Sequence, residues 1–207
     1  METETEMLRL FVAVSVPDRI KAELALAQEE LRSLVSEHGI RWTRTEQFHL
    51  TLKFLGNVPQ SDLSRVSELL HDACTGFPVL RLRCERIGFF PHKRVPRVIW
   101  ASVHDEAKAL PMLQESVEAA LEGICPAEKE NDFTAHVTLA RCHDVRRSDA
   151  ETLLHAAQEM NARFFGEWEV KQVELIRSEL RPGGSRYSLI DSFPLARGTA
   201  FDTLPPQ

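Results

Sequence analysis

The sequence predicts an α+β fold: two similar lobes about a pseudo-two-fold axis, each a mainly antiparallel sheet flanked by two helices, with the place for a site at the seam between them. Three observations predict it. The chain has 207 residues, 43% hydrophobic and 27% charged, enough for one ordinary domain or two small lobes sharing a core, and apolar enough to fold. Strand patterns and amphipathic helix patterns alternate in an order that runs twice. One phrase, His-x-Thr-Leu, stands at matching places in both passages.

The first passage opens with the β-branched, apolar strand LRLFVAVSVP near residue 8. After Pro17 and Asp18 an apolar stripe runs Ile20, Leu24, Ala27, Leu31, Leu34, and Gly39 stands where a left-handed cap would end that helix. The strand FHLTLKFLG follows, then a helix from Ser61 to Thr75 with Leu63, Val66, Leu69 and Leu70 inward, then a strand over Val79–Phe89. The second passage repeats this: a strand PRVIWASVHD near residue 96, a helix with Leu110, Leu113, Val117 and Leu121 ending at Gly123, and the strand AHVTLARCH. A helix from Ser148 to Met160 comes next, with Ser148 and Glu151 spaced as a capping box. Strands over Trp168–Leu180 and Tyr187–Phe193, with RPGGSR as the turn between them, close the second copy. The expected boundaries are a single domain over residues 7–195, with repeats 7–95 and 96–195 as its lobes and frayed tails at 1–6 and 198–207.

Apolar runs are only a few residues long, far short of the roughly 20 that span a bilayer, and the start METETEMLRL is acidic where a secretory signal would be basic. A cytoplasmic monomer without membrane contact is the expectation. Lys and Arg number 25 against 31 Asp and Glu, a net charge of −6, so no whole-surface attraction for duplex nucleic acid is expected and a polyanion must be gripped locally. One basic stretch, residues 81–97, holds Arg81, Arg83, Arg86, Lys93, Arg94 and Arg97 against Glu85; solvated edge-strand charges explain it as well as a ligand does. The four cysteines form no C-x-x-C pair, which predicts free thiols rather than a zinc knuckle or redox dithiol.

Side chains alternate along a strand, so His49 and Thr51 share one face while Leu50, Leu52 and Phe54 take the other. His136 and Thr138 likewise oppose Val137 and Leu139. One residue pair per lobe can therefore converge on a single ligand. An imidazole with a pKa near about 6.5 can abstract a proton when neutral and donate one when protonated. Phosphoryl transfer needs both functions, on opposite sides of the phosphorus, and the two threonine hydroxyls can hydrogen-bond the non-bridging oxygens. No H-x-H, H-E-x-x-H or carboxylate cluster surrounds either histidine, so neither metal nor cofactor is expected. A lone His-x-Thr is most often a satisfied core histidine; its repetition at matched positions reverses that. The remaining histidines lack such context and are expected at the surface.

HLTLKFLG, AHVTLAR, RLFVAVSVP and ELIRSELRPGGSRY together resemble the two-histidine (2H) phosphoesterases, and within them the bacterial and archaeal RNA 2′,3′-cyclic phosphodiesterases once called 2′-5′ RNA ligases, over residues 7–195. The resemblance implies metal-independent hydrolysis of a terminal 2′,3′-cyclic phosphate to a 2′-phosphate and, in some members, reversible 2′-5′ joining. By motif position it makes His49 the proton donor to the departing 3′ oxygen, His136 the acceptor that activates water, and Thr51 and Thr138 the phosphate-holding hydroxyls. It also implies that Arg141 contacts the phosphate, although strict alternation turns Arg141 away from the face of His136 unless the strand ends or bulges there. Trp42 and Phe90 are candidates to stack a base, as Phe89 is; Phe48 is expected in the core. The expected partner is an RNA end or a small cyclic-phosphate nucleotide such as ADP-ribose cyclic phosphate. A non-catalytic nucleotide-binding module of the same fold is the competing reading, which two intact motifs disfavour.

Overall fold

The computed structural model describes residues 6–36, 38–91, 95–125, 133–182 and 184–196. Its elements run β1 (Met7–Ser15), α1 (Asp18–Ser33), β2 (Ile40–Trp42), β3 (His49–Pro59), α2 (Leu63–Cys74), β4 (Leu80–Phe90), β5 (Val98–His104), α3 (Ala109–Leu121), β6 (His136–Cys142), α4 (Arg147–Glu159), β7 (Phe164–Val170), β8 (Gln172–Arg181) and β9 (Gly184–Pro194). The strands form one hydrogen-bonded path, β7-β4-β5-β6-β3-β1-β8-β9, with β2 beside β6. Every pairing between these strands is antiparallel. At its centre β3 and β6 share a single paired position, Leu50 with Val137, so the path consists of two half-sheets joined at a narrow seam. The two His-x-Thr phrases lie on that seam.

The α+β architecture matches the sequence expectation, but the lobes do not follow the halves of the chain. β4, from the first passage, pairs with β5 and β7 of the second, and β8, from the end of the chain, returns to β1. The helices exchange too: α1 packs on β7 and α3 on β3, while α2 lies on β9 and α4 on β4. This exchange between the two passages has a physical reason. Alternation in β4, where Leu80, Leu82 and Cys84 are buried, specifies which face is covered and is silent about which strand supplies the neighbouring hydrogen bonds.

Helix interiors follow their apolar stripes. Ile20, Leu24, Ala27 and Leu31 of α1 and Leu110, Leu113, Val117 and Leu121 of α3 are at most 1% exposed, each larger side chain worth about 1.5–3 kcal/mol of burial. Helix ends follow the pattern less well. α1 stops at Ser33, Leu34 is half exposed, and Gly39 caps nothing. Its φ of +73° lets the chain pass so close to the second motif's loop that a Cβ would stand 2.2 Å from the Asp144 carbonyl oxygen, where the His143 N–H donates to the Gly39 carbonyl. Gly39→Ala is expected to cost about 2 kcal/mol or more, read as a lowered midpoint in chemical denaturation. The Ser148–Glu151 spacing is not a capping box either: Arg146 occupies the N-cap, and Glu151 pairs with Arg147.

The predicted strand over 168–180 is two strands that break at Lys171. Two cations of the basic stretch are paired: Arg83 bonds Glu85 and lies 3.5 Å from Glu167, and Arg86 lies against His104 and Glu85. Lys93 and Arg94, like residues 1–5 and 198–207, lie outside the described residues. All four cysteines are free. Burial pushes the thiols of Cys74 and Cys84 up to about 12 and that of Cys142 up to about 11, leaving them protonated and unreactive near neutrality. Among the described residues no helix is long and apolar enough to cross a membrane.

Candidate active site

The start of β3 buries Leu50 and Leu52 and leaves His49 and Thr51 partly exposed; the start of β6 does the same with Val137 and Leu139 against His136 and Thr138. Antiparallel pairing at Leu50 and Val137 brings the motifs together head to tail. The two imidazoles are held in the same way. His49 Nδ1 lies 2.6 Å from the carbonyl oxygen of Gln47, and His136 Nδ1 lies 2.7 Å from that of Thr134. A carbonyl oxygen only accepts, so each Nδ1 carries the hydrogen and donates it. Each Nε2 is then the nitrogen left for chemistry: a base when the ring is neutral, an acid when it is charged.

Aromatic rings wall both imidazoles. Phe11 lies 4.9 Å and Tyr187 5.5 Å from the ring of His49, Tyr187 edge-on. Phe90 lies 5.3 Å from His136, also edge-on, and Trp100 6.2 Å from it. Trp100 can lie there because its cross-strand neighbour is Gly88, where a Cβ would stand 2.4 Å from the indole. Burial pushes both imidazole pKa values below the ordinary 6.5, against the opposing pull of the carbonyl acceptors. The positive charge of Arg141 lowers both further, and His49 also feels His136 and Lys21.

Arg141 reaches the site through a β-bulge. In the β5–β6 ladder Ile99 faces Ala140 but Trp100 faces Thr138, leaving Leu139 without a partner. Beyond that extra residue the alternation is reset, so Ala140 and Cys142 are buried and Arg141 emerges on the face of His136 and Thr138. β3 carries the same bulge one copy earlier: Val12 faces Lys53, Ala13 faces Thr51, and Leu52 is extra. Consequently Phe54, expected in the core by simple alternation, is 63% exposed, at the place that Arg141 holds in the other motif. Lys53 turns inward instead and forms a hydrogen-bonded ion pair with Glu118 of α3.

Of the stacking candidates, Phe90 stands against His136, whereas Phe48 and Phe89 are buried in the core. Trp42 is opposite Ala140 and packs against the core, on the side of the sheet away from Arg141, which corrects its expected role. Phe11, Trp100 and Tyr187 were not foreseen. They come from strands whose neighbours only the topology reveals, although Trp100 and Phe11 both lie in the repeated first strand. Among the described residues no three His, Cys, Asp or Glu side chains are grouped as metal ligands.

The sequence matches the family described as LigT-like phosphoesterase over residues 14–100 and again over 103–187. The chain belongs to this family. Similar proteins include an RNA 2′,3′-cyclic phosphodiesterase of Archaeoglobus fulgidus, 33% identical over 180 residues that cover 87% of this chain and 96% of the relative. Another RNA 2′,3′-cyclic phosphodiesterase, from Thermus thermophilus, is 32% identical over 91% of this chain and 90% of its own length. Among solved structures, the Thermus thermophilus protein TT0787 aligns with a TM-score of 0.75 at 30% identity, covering 93% of this chain and all of the other. E. coli LigT, crystallised with 3′-AMP, shares the fold at a TM-score of 0.73 and 21% identity, over 93% of this chain and all of its own. In this LigT-like chain both motifs stand intact, each with its imidazole tethered through Nδ1.

Proposed function

We propose that the protein is a metal-independent RNA 2′,3′-cyclic phosphodiesterase, in which His49 and His136 act on opposite sides of one phosphorus. The reading is carried by one observation: two imidazoles from different half-sheets, each tied by Nδ1 to the carbonyl two residues before it, offer Nε2 to the same seam. Relatives of nearly full coverage named for this activity support the substrate. Water attacks phosphorus, His136 Nε2 takes its proton, the P–O3′ bond breaks, and His49 Nε2–H protonates the departing 3′ oxygen, leaving a 2′-phosphate. Thr51, Thr138 and Arg141 hold the non-bridging oxygens as their charge grows. A 5′-hydroxyl in place of water would give a 2′-5′ linkage by the same proton transfers. The protein is thus read as an enzyme, since a pure binding module has no use for two tethered and ionisable rings where threonine and arginine already hold the anion.

With burial and cationic neighbours lowering both rings, His49 gains its proton most readily once the anionic phosphate is bound. This predicts two pH profiles. For kcat/KM, which reports the free enzyme, the bell requires one ring charged and one neutral, and its maximum is expected on the acid side of 6.5 because both pKa values are lowered. For kcat the alkaline limb is expected at higher pH, because the bound anion favours the imidazolium. A kcat/KM maximum above 6.5 would contradict the electrostatics. The function is tested by incubating the purified protein with an oligonucleotide ending in a 2′,3′-cyclic phosphate in the presence of chelator and identifying the product. A 2′-phosphate is expected; a 3′-phosphate, or strict dependence on a divalent ion, overturns the assignment.

A further inference from the structure

We propose that Arg41, directly across the ladder from Arg141, forms a second anion subsite beside the reacting phosphate, which holds the phosphodiester joining the cyclic-ended nucleotide to its 5′ neighbour. The preferred substrate is then a single-stranded RNA end rather than a lone nucleotide. This rests on the cyclic-phosphodiesterase reading and deepens it.

Arg41 sits directly opposite Arg141 in the β2–β6 ladder. Its neighbours Ile40 and Trp42 face the buried Cys142 and Ala140 on the core side. The two guanidiniums therefore rise from the other face, the one that presents His136 and Thr138. Like charges placed directly across a ladder are destabilising, and both of these are exposed without a carboxylate partner among the described residues. Some arginines, such as Arg83, Arg147, Arg163 and Arg177, lie within 3.0 Å of a glutamate oxygen; others, such as Arg65 and Arg81, are exposed without one among the described residues, but Arg41 and Arg141 are set apart by facing each other across one ladder next to His136. An uncompensated cationic pair at the rim of a phosphate site is what an anionic ligand resolves.

The position of the second charge gives its ligand a direction. Arg141 emerges past the bulge on the face of His136 and Thr138, and its charge is felt by both imidazoles, so we assign it to the reacting phosphate. Arg41 reaches the tip of the β8–β9 hairpin: a Cβ on Gly184 would stand 3.3 Å from Arg41 Nη2 and 2.9 Å from Arg44 Nη2. Arg44 is anchored there by donating to the Ser185 carbonyl and lies 3.7 Å from Glu46, so Arg41 is the less committed cation. The same hairpin brings Tyr187 against His49. A ligand spanning Arg141 and Arg41 thus leads from the seam along the hairpin tip, and an RNA strand supplies negative charge at each linkage. Because the chain is acidic overall, such a strand must be held by local cations of this kind.

The test compares a trinucleotide ending in a 2′,3′-cyclic phosphate with a mononucleoside 2′,3′-cyclic phosphate, for the wild type, Arg41→Gln and Arg41→Lys. Binding of the corresponding 2′-phosphate products is titrated in parallel and needs no turnover. Arg41→Gln is expected to lower kcat/KM for the trinucleotide at least about tenfold more than for the mononucleotide, through KM, the size expected from losing a charge-assisted hydrogen bond. Trinucleotide product binding should weaken by a similar factor, its log–log salt slope should fall by about 0.7, and Arg41→Lys should retain part of the preference. Equal losses on both compounds, or none on the trinucleotide, overturn the subsite. If the wild type opens neither compound, the cyclic-phosphodiesterase reading falls, and product binding alone still decides whether Arg41 holds a second phosphate.

Discussion

Replacing either His49 or His136 by alanine is expected to lower kcat/KM for a cyclic-phosphate substrate by about 10²–10⁴, the range for loss of one positioned acid or base. The two losses should not multiply. Once one proton transfer is missing, the other imidazole has no concerted partner, so the double variant is expected to be about as impaired as the worse single one. The pH profile separates a chemical role from a structural one. The bell expected for the wild type would have one limb for each macroscopic ionisation, and each single variant should retain only one limb. Glutamine at either position keeps a polar group against Phe11 and Tyr187, or against Phe90 and Trp100, and so controls for lost packing. Should His136→Gln retain the bell and most of the rate, water activation lies elsewhere and the proposed mechanism fails.

The order of elements, the apolar stripes of α1 and α3, and the first three residues of each motif were legible because they depend on short-range periodicity. The fourth residue of each motif is where legibility ended. Leu52 and Leu139 are the extra residues of two equivalent bulges, and a bulge inverts the alternation of the side chains that directly follow it. Alternation therefore assigned Phe54 and Arg141 to the core face, whereas the structure turns both out. Exchange of strands between lobes was hidden for a related reason: hydrogen-bonding edges carry no side-chain signature, so β4 and β8 could be recognised as strands but not as neighbours of β5 and β1. The aromatic walls depend on those neighbours. Phe90 was foreseen as a candidate and stands at His136, but nothing in the order of residues placed Tyr187 beside His49. Trp42 misled because it lies close to the first motif in sequence while its strand pairs with the second, core side down.

Arg141→Ala is expected to lower kcat/KM by about 10²–10³, the cost of losing one donor aimed at developing negative charge, and to move the pH profile as well. The sign follows from the electrostatics. The guanidinium lowers both imidazole pKa values, so its removal lets both rise, and the kcat/KM maximum should shift toward higher pH even as its height falls. Lysine at this position keeps the charge but not the planar fork. Arg141→Lys is therefore expected to keep the wild-type pH maximum while recovering only part of the rate, which separates field from hydrogen-bond geometry. The equivalent place in the first motif is held by Phe54, exposed and uncharged, 6.1 Å from Phe11. The duplicated site is thus symmetric in its imidazoles and hydroxyls and asymmetric at this motif position: the β6 strand carries a cation there and the β3 strand an aromatic ring. Installing a second cation, Phe54→Arg, should lower both imidazole pKa values further and push the kcat/KM maximum to still lower pH. A variant set in which neither Arg141→Ala nor Phe54→Arg moves the maximum would mean that the bulges do not bring these two positions to the imidazoles.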